Sequence, residues 1–518
     1  MINSARSLQA LSRRDMLRLS AIGGLVSFTG KNAYADAPKR GGRMRLGSRH
    51  GSTTDSTDPG LITNSFQGYL AYAFTSTLTE ILPDGTLGPA LALSWDSTDA
   101  KTWQFKLRKD VTFHNGQPFT ASDVVASLNH HRIEGSVSSV KPFADQMVQI
   151  KAEGTHEIII ELQSPNADLP ASFNDAAFTI FPALGEKADW QSRNGTGGYI
   201  IEQYEPGVIA KLKRNPNYWR SDRAFANEVE LLSLVDATAR TNALLSGEID
   251  AIDEVDLKSV EYLASQPGIT VEETAGPLHY TFPMRTDVAP FDNLDVRLAL
   301  KYAIDRKAIL DNLLYGHGSI GNDTPIGPSY PYFAADIERN SYDPEKSKFH
   351  LKRAGLESLT VDLSAAEAAF TGAVDAALLF SEQAKKANIN INVIREANDG
   401  YWDNIWTKKP FCAAYWGGYT SESQMFAMGY APGAAWNDTY WTEPGFESLR
   451  LAAAGEIDPV KRRNMYTEMQ TILRDRGGAI VFAFATNVMA RNQSVAHGKL
   501  ASSNVFDGAR VAERWWVV

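Results

Sequence analysis

Strand-like and helix-like patterns alternate along almost the whole chain, and this order limits the possible folds more than any other feature of the sequence. Within residues 102–108, Trp103, Phe105 and Leu107 alternate with polar residues, so their side chains share one face of a predicted strand. Further strands are predicted at 158–162, 228–235, 269–273 and 391–394. Helical patterns lie between these strands, which predicts an α/β fold.

Capping residues mark the starts of several helices. Thr120 and Asp123 have the spacing of a capping box and predict a helix over 124–131. The other predicted helices are 296–303 after a cap at Asp292 or Asn293, one capped by Asp305 and ended by Gly316, and the longer patterns 371–387 and 459–476.

The composition excludes several classes of protein. With 518 residues, of which 43% are hydrophobic and 22% charged, the chain can bury a large core and is not a disordered protein. A net charge of −10 without a block of lysines and arginines argues against a nucleic-acid partner. The single cysteine, Cys412, and nine scattered histidines form no cluster for structural zinc, so no metal site and no cofactor is expected.

The first thirty-five residues resemble a twin-arginine export signal. Arg13 and Arg14 precede a short apolar stretch at 19–28, and Ala33-Tyr34-Ala35 has the pattern of a cleavage site. The apolar stretch is shorter than the ~20 residues that span a bilayer. No later segment reaches that length without charge, and no cysteine follows the signal to carry a lipid. We therefore expect residues 1–35 to be removed and the mature protein to be free in the periplasm.

Short motifs follow one another through the mature chain, each of them weak by itself. They include Trp103-x-Phe105-x-Leu107-Arg108, Val111-Thr112-Phe113-His114-Asn115-Gly116, Gly195-Thr196-Gly197-Gly198-Tyr199, Arg214-Asn215-Pro216-Asn217-Tyr218-Trp219, Leu245-Ser246-Gly247-Glu248-Ile249-Asp250, Pro290-Phe291-Asp292-Asn293 and Tyr302-Ala303-Ile304-Asp305-Arg306. In this order they resemble the solute-binding proteins of peptide and nickel ABC importers, bacterial extracellular family 5. The resemblance covers essentially the whole mature chain.

The resemblance implies a two-lobed periplasmic binding protein of type II with an extra subdomain. Lobe I would comprise residues 36–285 together with a C-terminal return at 488–518, and its subdomain would comprise 75–190. Lobe II would comprise 286–487. Breaks at Gly276-Pro277, Pro283 and Pro290 are the best candidates for the crossing between lobes.

Most of the motif residues are better explained by structure than by solute contact. Trp95, Trp103 and Phe113 are expected in the core of the subdomain. Asp305 and Arg306 are expected to cap a helix and to pair locally. For Asn322 and Asp323 a turn is favoured over contact with solute.

Aromatic residues are concentrated between Tyr401 and Phe446, where thirteen occur in forty-six residues, or 28% against 10% for the whole chain. Glycines and prolines among them indicate loops, and small-molecule clefts are typically walled by aromatic side chains. Packing beneath loops is the alternative for each ring taken singly. For the segment as a whole we expect a binding cleft, with the candidate residues Trp402, Tyr415, Trp416, Tyr419 and Trp436.

The same segment puts recognition of a free peptide amine in doubt. Peptide-binding relatives place an aspartate after the tryptophan that matches Trp416, and that aspartate holds the α-ammonium of the ligand. Here the matching positions are Thr420-Ser421, so only Glu422 or Asp438 could replace it. A buried ammonium needs a counter-charge, whereas aromatic faces offer a second way to hold an amine or a quaternary ammonium.

Four further candidates come from the lobe interface. By the resemblance, Asn64 and Phe66 belong to a first loop that faces the cleft, and Phe282 and Arg285 follow the crossing segment. Two alternatives stay open for Arg285, since it could clamp a solute carboxylate or pair with a carboxylate of the protein.

The leading hypothesis is a monomeric periplasmic receptor that traps a short peptide or an amine between its lobes and delivers it to an inner-membrane ABC permease with a cytoplasmic ATPase. A nickel-chelate or haem carrier is the alternative within the binding class. A secreted hydrolase is disfavoured, because the nearest motif, His317-Gly318-Ser319-Ile320-Gly321, lacks the first glycine of a nucleophile elbow.

Overall fold

The computed structural model describes residues 38–419 and 421–518. The predicted export signal, residues 1–35, and Thr420 lie outside the described residues. Strands and helices alternate along the described chain, which confirms the α/β class. In chain order the strands are β1 (Arg43–Ser48), β2 (Thr79–Ile81), β3 (Leu87–Pro89), β4 (Ala92–Asp96), β5 (Thr102–Leu107), β6 (Met147–Ala152), β7 (Glu157–Leu162), β8 (Ala183–Leu184), β9 (Lys187–Ala188), β10 (Tyr199–Glu205), β11 (Ile209–Arg214), β12 (Glu228–Ser233), β13 (Ala251–Ile252), β14 (Ile269–Pro283), β15 (Gly318–Ile320), β16 (Leu359–Ala365), β17 (Ile389–Arg395), β18 (Ala414–Trp416), β19 (Ala479–Asn492), β20 (Val495–Ala496) and β21 (Trp516–Val517).

The longer helices include those predicted from caps at Thr120, at Asp292 or Asn293, and at Asp305. They are α1 (Ser65–Phe74), α2 (Ala121–His130), α3 (Ala237–Ser246), α4 (Val260–Ala264), α5 (Leu294–Tyr302), α6 (Arg306–Leu313), α7 (Pro344–Arg353), α8 (Ala373–Ala384), α9 (Glu422–Gly429), α10 (Pro444–Gly455) and α11 (Pro459–Arg476). Asn293 rather than Asp292 caps α5, since its side chain accepts a hydrogen bond from the backbone N–H of Asp295 at 2.9 Å.

The end of α6 differs from the prediction. The helix stops at Leu313, because Leu314 already has a non-helical ψ of 10° and its N–H closes the last turn on the carbonyl of Leu310. Gly316 therefore lies in the following turn, where its φ of +83° suits a glycine.

One large sheet organises the chain, with the strand order β10-β11-β12-β1-β13-β19-β14-β18 and β15 also paired to β19. β1 is parallel to β12 and β13, and the other pairs are antiparallel. β14 and β19 are its longest strands, and their register breaks between Ala275 and His279. Gly276 lies in this break, where a Cβ would come within 2.7 Å of the carbonyl oxygen of Ala485. The break therefore separates each long strand into two parts.

The two parts of these strands enter different hydrophobic clusters. Val488 on one side packs with helices α3 and α4, whereas Phe282 and Ile480 on the other side belong to a large cluster with α5, α6 and α8. The four-stranded sheet β4-β5-β7-β6 has its own cluster within residues 78–180. Trp103 and Phe113 are buried there and Trp95 packs against it, as predicted from the sequence.

No helix among the described residues combines the length and the apolar character that crossing a membrane requires.

Candidate functional site

The aromatic segment is attached to the large sheet beside the register break. In β18, Trp416 pairs with His279 and Tyr415 pairs with Tyr280, just beyond the break in β14. Because side chains alternate across a strand, Tyr415 and Trp416 point to opposite faces. Tyr415 is 42% exposed and Trp416 only 6%. One edge strand thus supplies both an exposed ring and a buried one.

After β18 the chain packs closely at Gly418 against Pro277, which lies in the register break of β14. The φ of Gly418 is +88°, and a Cβ at this position would lie 2.3 Å from Cβ of Pro277. Gly433 in the same segment has a similar φ of +73°, but a Cβ there would meet no atom within 4 Å. The comparison separates the need for a left-handed backbone, which both glycines share, from the need for close packing, which only Gly418 has.

We expect Gly418→Ala to destabilise the protein more than Gly433→Ala. Both variants lose ~1–2 kcal/mol from the left-handed conformation, and the methyl group at 418 adds ~1–3 kcal/mol of overpacking against Pro277. Urea denaturation followed by far-ultraviolet circular dichroism measures both values. Equal losses in the two variants would contradict the close packing of Gly418 on Pro277.

The aromatic side chains form a continuous chain of rings centred on Trp406. Its ring lies 5.6 Å from that of Trp402, 6.2 Å from Trp416 and 6.1 Å from Trp436, in edge-to-face geometry. Tyr415 extends the chain at 5.5 Å from Trp402. Such contacts fix the orientation of each ring. We call Trp402, Trp406, Tyr415, Trp416 and Trp436 the aromatic cluster.

Asp438 lies beneath the aromatic cluster and joins two of its rings. The indole N–H groups of Trp406 and Trp416 both donate to Oδ2 of Asp438, at 3.1 Å and 3.3 Å. The carboxyl group is only 6% exposed, and this burial raises its pKa to about 6. Within the described part of the chain, no ion pair links Asp438 to a lysine, arginine or histidine. The carboxylate is therefore held by hydrogen bonds and lacks a counter-charge there.

Tyr419 and Glu422 lie on the other side of Trp416. The Tyr419 ring is half-buried 6.4 Å from that of Trp416, and its backbone N–H donates to the hydroxyl of Tyr330 at 2.9 Å. Glu422 is buried and accepts a hydrogen bond from the N–H of Tyr332 at 2.6 Å. Burial raises the pKa of Glu422 to about 7. Its contact with the backbone gives Glu422 a structural role.

Among the four candidates from the lobe interface, Arg285 lies next to the aromatic cluster, since its guanidinium group donates to the carbonyls of Thr407 and Lys408, which follow Trp406. Asn64 caps α1, accepting from the N–H of Gln67 and donating to Asp55 at 2.7 Å. Phe66 and Phe282 are fully buried in two separate hydrophobic clusters and offer no exposed surface. Arg285 pairs with Asp287 through two hydrogen bonds of 3.1 Å and 2.7 Å. Of its two alternatives, the structure thus shows the one within the protein.

The sequence favours a turn for Asn322 and Asp323, and in the structure both side chains bond to other parts of the protein. Asp323 accepts two hydrogen bonds from Arg306, and Asn322 accepts one from the N–H of Asn340. The motif at 317–321 does not form a nucleophile elbow, since its Gly318–Ile320 part is a strand paired to β19. Within the described ranges, no three histidine, cysteine or acidic side chains are grouped to hold a metal ion.

Sequence reasoning passed over Asp253, which lies at the carboxyl ends of two parallel strands. It follows β13, and its carboxylate accepts hydrogen bonds from Ser48 Oγ at 3.0 Å, Tyr69 Oη at 3.1 Å and the N–H of Arg49 at 2.9 Å. Burial raises the pKa of Asp253 to about 6. Ligands of open α/β sheets bind outside such strand ends. An acidic residue immediately after the apolar pair Ala251-Ile252 was the signal that could have found it.

A polar contact also joins the four-stranded-sheet region to helices α10 and α11. The N–H of Ala167 donates to the carbonyl of Ala454 at 2.7 Å, and Arg462 pairs with Asp168 at 2.6 Å. Both charged side chains are nearly buried. Arg462 also donates to Tyr466 at 3.0 Å. We call Asp168 and Arg462, with this backbone bond, the bridging contact.

Comparisons with known proteins place this geometry in a family. The family described as "Bacterial extracellular solute-binding proteins, family 5 Middle" matches residues 86–438. The nickel-binding periplasmic protein of Escherichia coli is 30% identical over 289 residues, or 54% of this chain. The periplasmic oligopeptide-binding protein of E. coli is 24% identical over 489 residues, covering 85% of this chain and 86% of that protein.

The matched part spans about half the length of the nickel-binding relative, 55%. Among solved structures, HbpA2 from Haemophilus parasuis is 19% identical with a TM-score of 0.80, and the alignment covers 90% of this chain and 99% of that protein. This likeness shows a shared two-lobed fold. Both E. coli relatives are named as binding proteins, in agreement with the sequence argument against a hydrolase.

Proposed function

Because the chain belongs to family 5 of the bacterial extracellular solute-binding proteins, we propose that it is a periplasmic receptor that captures a small organic solute. It presents the solute to an inner-membrane ABC permease driven by a cytoplasmic ATPase, and it acts as a monomer exported through its twin-arginine signal, residues 1–35. A short peptide or an amino-acid-like amine is the leading solute class. One relative is named for oligopeptide binding and another for nickel binding, so a peptide and a nickel chelate are both candidate solutes.

Except at the crossing, the proposed lobes are those expected from the sequence: 36–285 with 488–518, and 286–487. Two observations support them. Buried residues of 44–74 and of 489–515 share one hydrophobic cluster, as a C-terminal return to lobe I requires. The register break in β14 and β19 lies where both strands pass from one cluster to another. We place the crossing at this break, which moves the end of lobe I from the predicted 285 to Ala275, because Phe282 already packs with α5, α6 and α8, and we keep the subdomain at 75–190.

The observation that carries the proposal is the aromatic cluster beside the strand crossing. Trp402, Tyr415 and Trp436 are 37%, 42% and 46% exposed although they are large aromatic side chains. Trp406 packs against both Trp402 and Trp436, Trp416 packs against Trp436, and Tyr415 packs against Trp402, so each exposed ring is held by a neighbour. Ring faces that stay exposed yet oriented provide contact area at little entropic cost. We propose this surface as the lobe II wall of the solute site, and Tyr419 as its margin.

The mechanism is differential binding. Solute contacts both lobes only when they close, so it shifts an open–closed equilibrium by the difference between its affinities for the two states. The strand ends near Asp253 supply the polar wall on lobe I. An affinity of ~1 μM, or about −8 kcal/mol, suits capture followed by release to the permease.

Calorimetry and small-angle X-ray scattering with a panel of short peptides, amines, opine-like conjugates and nickel–histidine test this function. We expect one class to bind and to reduce the radius of gyration. Elemental analysis of the purified protein separates the nickel alternative from the organic one. A protein that neither binds nor compacts with any member of the panel would refute the proposal.

A further inference from the structure

The exposed rings of the aromatic cluster leave their faces open to a cation. Within residues 38–419 and 421–518, arginine or lysine groups lie over several rings, among them Arg285 at 4.2 Å from the ring centre of Tyr440. The rings with such a neighbour are Phe225, Trp219, Tyr204, Tyr440, Tyr302, Phe349, Tyr332, Tyr466 and Tyr72. Trp402, Tyr415 and Trp436 are not among them. Their π-faces are therefore available to a cation from outside the protein.

Asp438 gives this surface a negative charge from below. A buried carboxylate without a counter-charge is unfavourable, and a cation brought by the solute would relieve that cost. Trp406 and Trp416, which donate to Asp438, are also the rings that contact Trp436, at 6.1 Å each. The charge thus lies against the two rings that support Trp436.

The carboxylate is close to these rings but scarcely reachable. Asp438 is 6% exposed, and Oδ2 already accepts two indole N–H groups. A primary ammonium gives up hydrogen bonds to water on burial and needs acceptors in exchange. A methylated nitrogen has few or no N–H groups to satisfy, so ring faces backed by a charge are sufficient for it.

We propose that the solute carries a quaternary or fully N-methylated ammonium group, which is held against Trp402, Tyr415 and Trp436 with Asp438 as its counter-charge. This inference rests on the proposed function and specifies the solute class of the same site. Glu422 is not the counter-charge, because it is buried and its carboxylate accepts a hydrogen bond from the backbone N–H of Tyr332.

Three small probes of similar size separate the possibilities. Choline carries a trimethylammonium group, ethanolamine carries a primary ammonium, and dimethylbutanol replaces the nitrogen of choline by carbon. We expect choline to bind the protein at least about tenfold more tightly than either of the others, as contact with two or three ring faces implies. Isothermal titration calorimetry measures the affinities, and quenching of tryptophan fluorescence places the probe at the cluster.

Charge variants test the part played by Asp438. In Asp438→Asn the amide oxygen can still accept from both indoles, but the charge is gone. We expect the preference for choline over dimethylbutanol to fall to less than about threefold in this variant. Asp403→Asn is the matched control, since Asp403 is exposed, follows Trp402 directly and changes the net charge equally. The control should keep the full preference.

Several results would overturn the inference. They are the absence of choline binding, equal or tighter binding of ethanolamine or dimethylbutanol, and an unchanged preference in Asp438→Asn. If the protein compacts with a peptide or another solute that lacks a methylated ammonium group while it ignores choline, the inference fails and the proposed function stands. If no solute of either panel binds or compacts the protein, the proposed function fails as well.

Discussion

Arg462→Met is expected to lower the free energy of unfolding by about 3–5 kcal/mol. The guanidinium group pairs with Asp168 at 2.6 Å, and the two side chains are only 7% and 10% exposed. The second oxygen of Asp168, Oδ2, is buried without a hydrogen-bond partner among the described residues. Removal of the arginine would leave a buried carboxylate with no compensating charge, which is the costly way to break such a pair. Urea denaturation at neutral pH measures the loss.

Two further variants give this prediction its controls. Arg462→Met combined with Asp168→Asn removes both charges and should recover about 2 kcal/mol of the loss. Lys307→Met breaks an exposed pair with Asp311 and should cost less than about 1 kcal/mol. A double variant as unstable as Arg462→Met alone would show that the stability comes from the packing of Arg462 on Tyr332 and Tyr466 instead.

The bridging contact also has a consequence for closure. With the proposed lobe boundaries, it joins the subdomain of lobe I to helix α11 of lobe II, so it should hold these two parts of the chain together in the solute-free protein. Asp168→Asn should therefore increase the radius of gyration of the solute-free protein. Scattering curves of the variant and the parent protein that superimpose would contradict this role.

Asp438→Asn is expected to stabilise the protein, and the gain should depend on pH. Aspartate in an unfolded chain has a pKa near 3.9, whereas burial raises the pKa of Asp438 to about 6 in the folded protein. Between these values the folded chain binds one proton more than the unfolded chain. The stability contributed by protonated Asp438 is thus complete below about pH 4 and is lost as the pH rises through about 6.

Asparagine does not titrate, so Asp438→Asn does not lose this stability as the pH rises. The difference in unfolding free energy between Asp438→Asn and the parent protein should grow in favour of the variant by about 3 kcal/mol between about pH 4 and pH 7. Parallel urea titrations across this range measure it, and Asp403→Asn, at an exposed site, is the matched control. A difference that does not change with pH would mean that Asp438 has an ordinary pKa.

Arg462 and Asp438 also show how much of the structure could be predicted from the sequence. Helix α11 has the predicted bounds, because its signals are local: Asp458 accepts from the N–H groups of Val460 and Lys461, and Pro459 occupies the first turn. The concentration of rings in 401–446 was likewise visible as composition. Local spacing was sufficient for elements such as α11, and composition was sufficient to predict a binding segment, which stays a prediction.

Long-range partners were beyond that reasoning. Asp438 meets Trp406 and Trp416 from 32 and 22 residues away, and Asp168 meets Arg462 across most of the chain. Phe66 was expected at a cleft but is buried, because helix α1 packs into a core that also includes Met44 and Trp515. Such burial depends on which segments meet, and a single sequence does not encode that locally.

Cys412 is the only cysteine of the chain and lies buried in the aromatic segment. Its backbone forms an isolated β-bridge with that of Ser364. Burial raises the pKa of its thiol, which keeps the thiolate and its reactivity low. A cysteine introduced at the protein surface would then be the one group that a maleimide dye labels in the folded state. The molecule thus lends itself to conversion into a fluorescent reporter of solute capture, with its native thiol left in place.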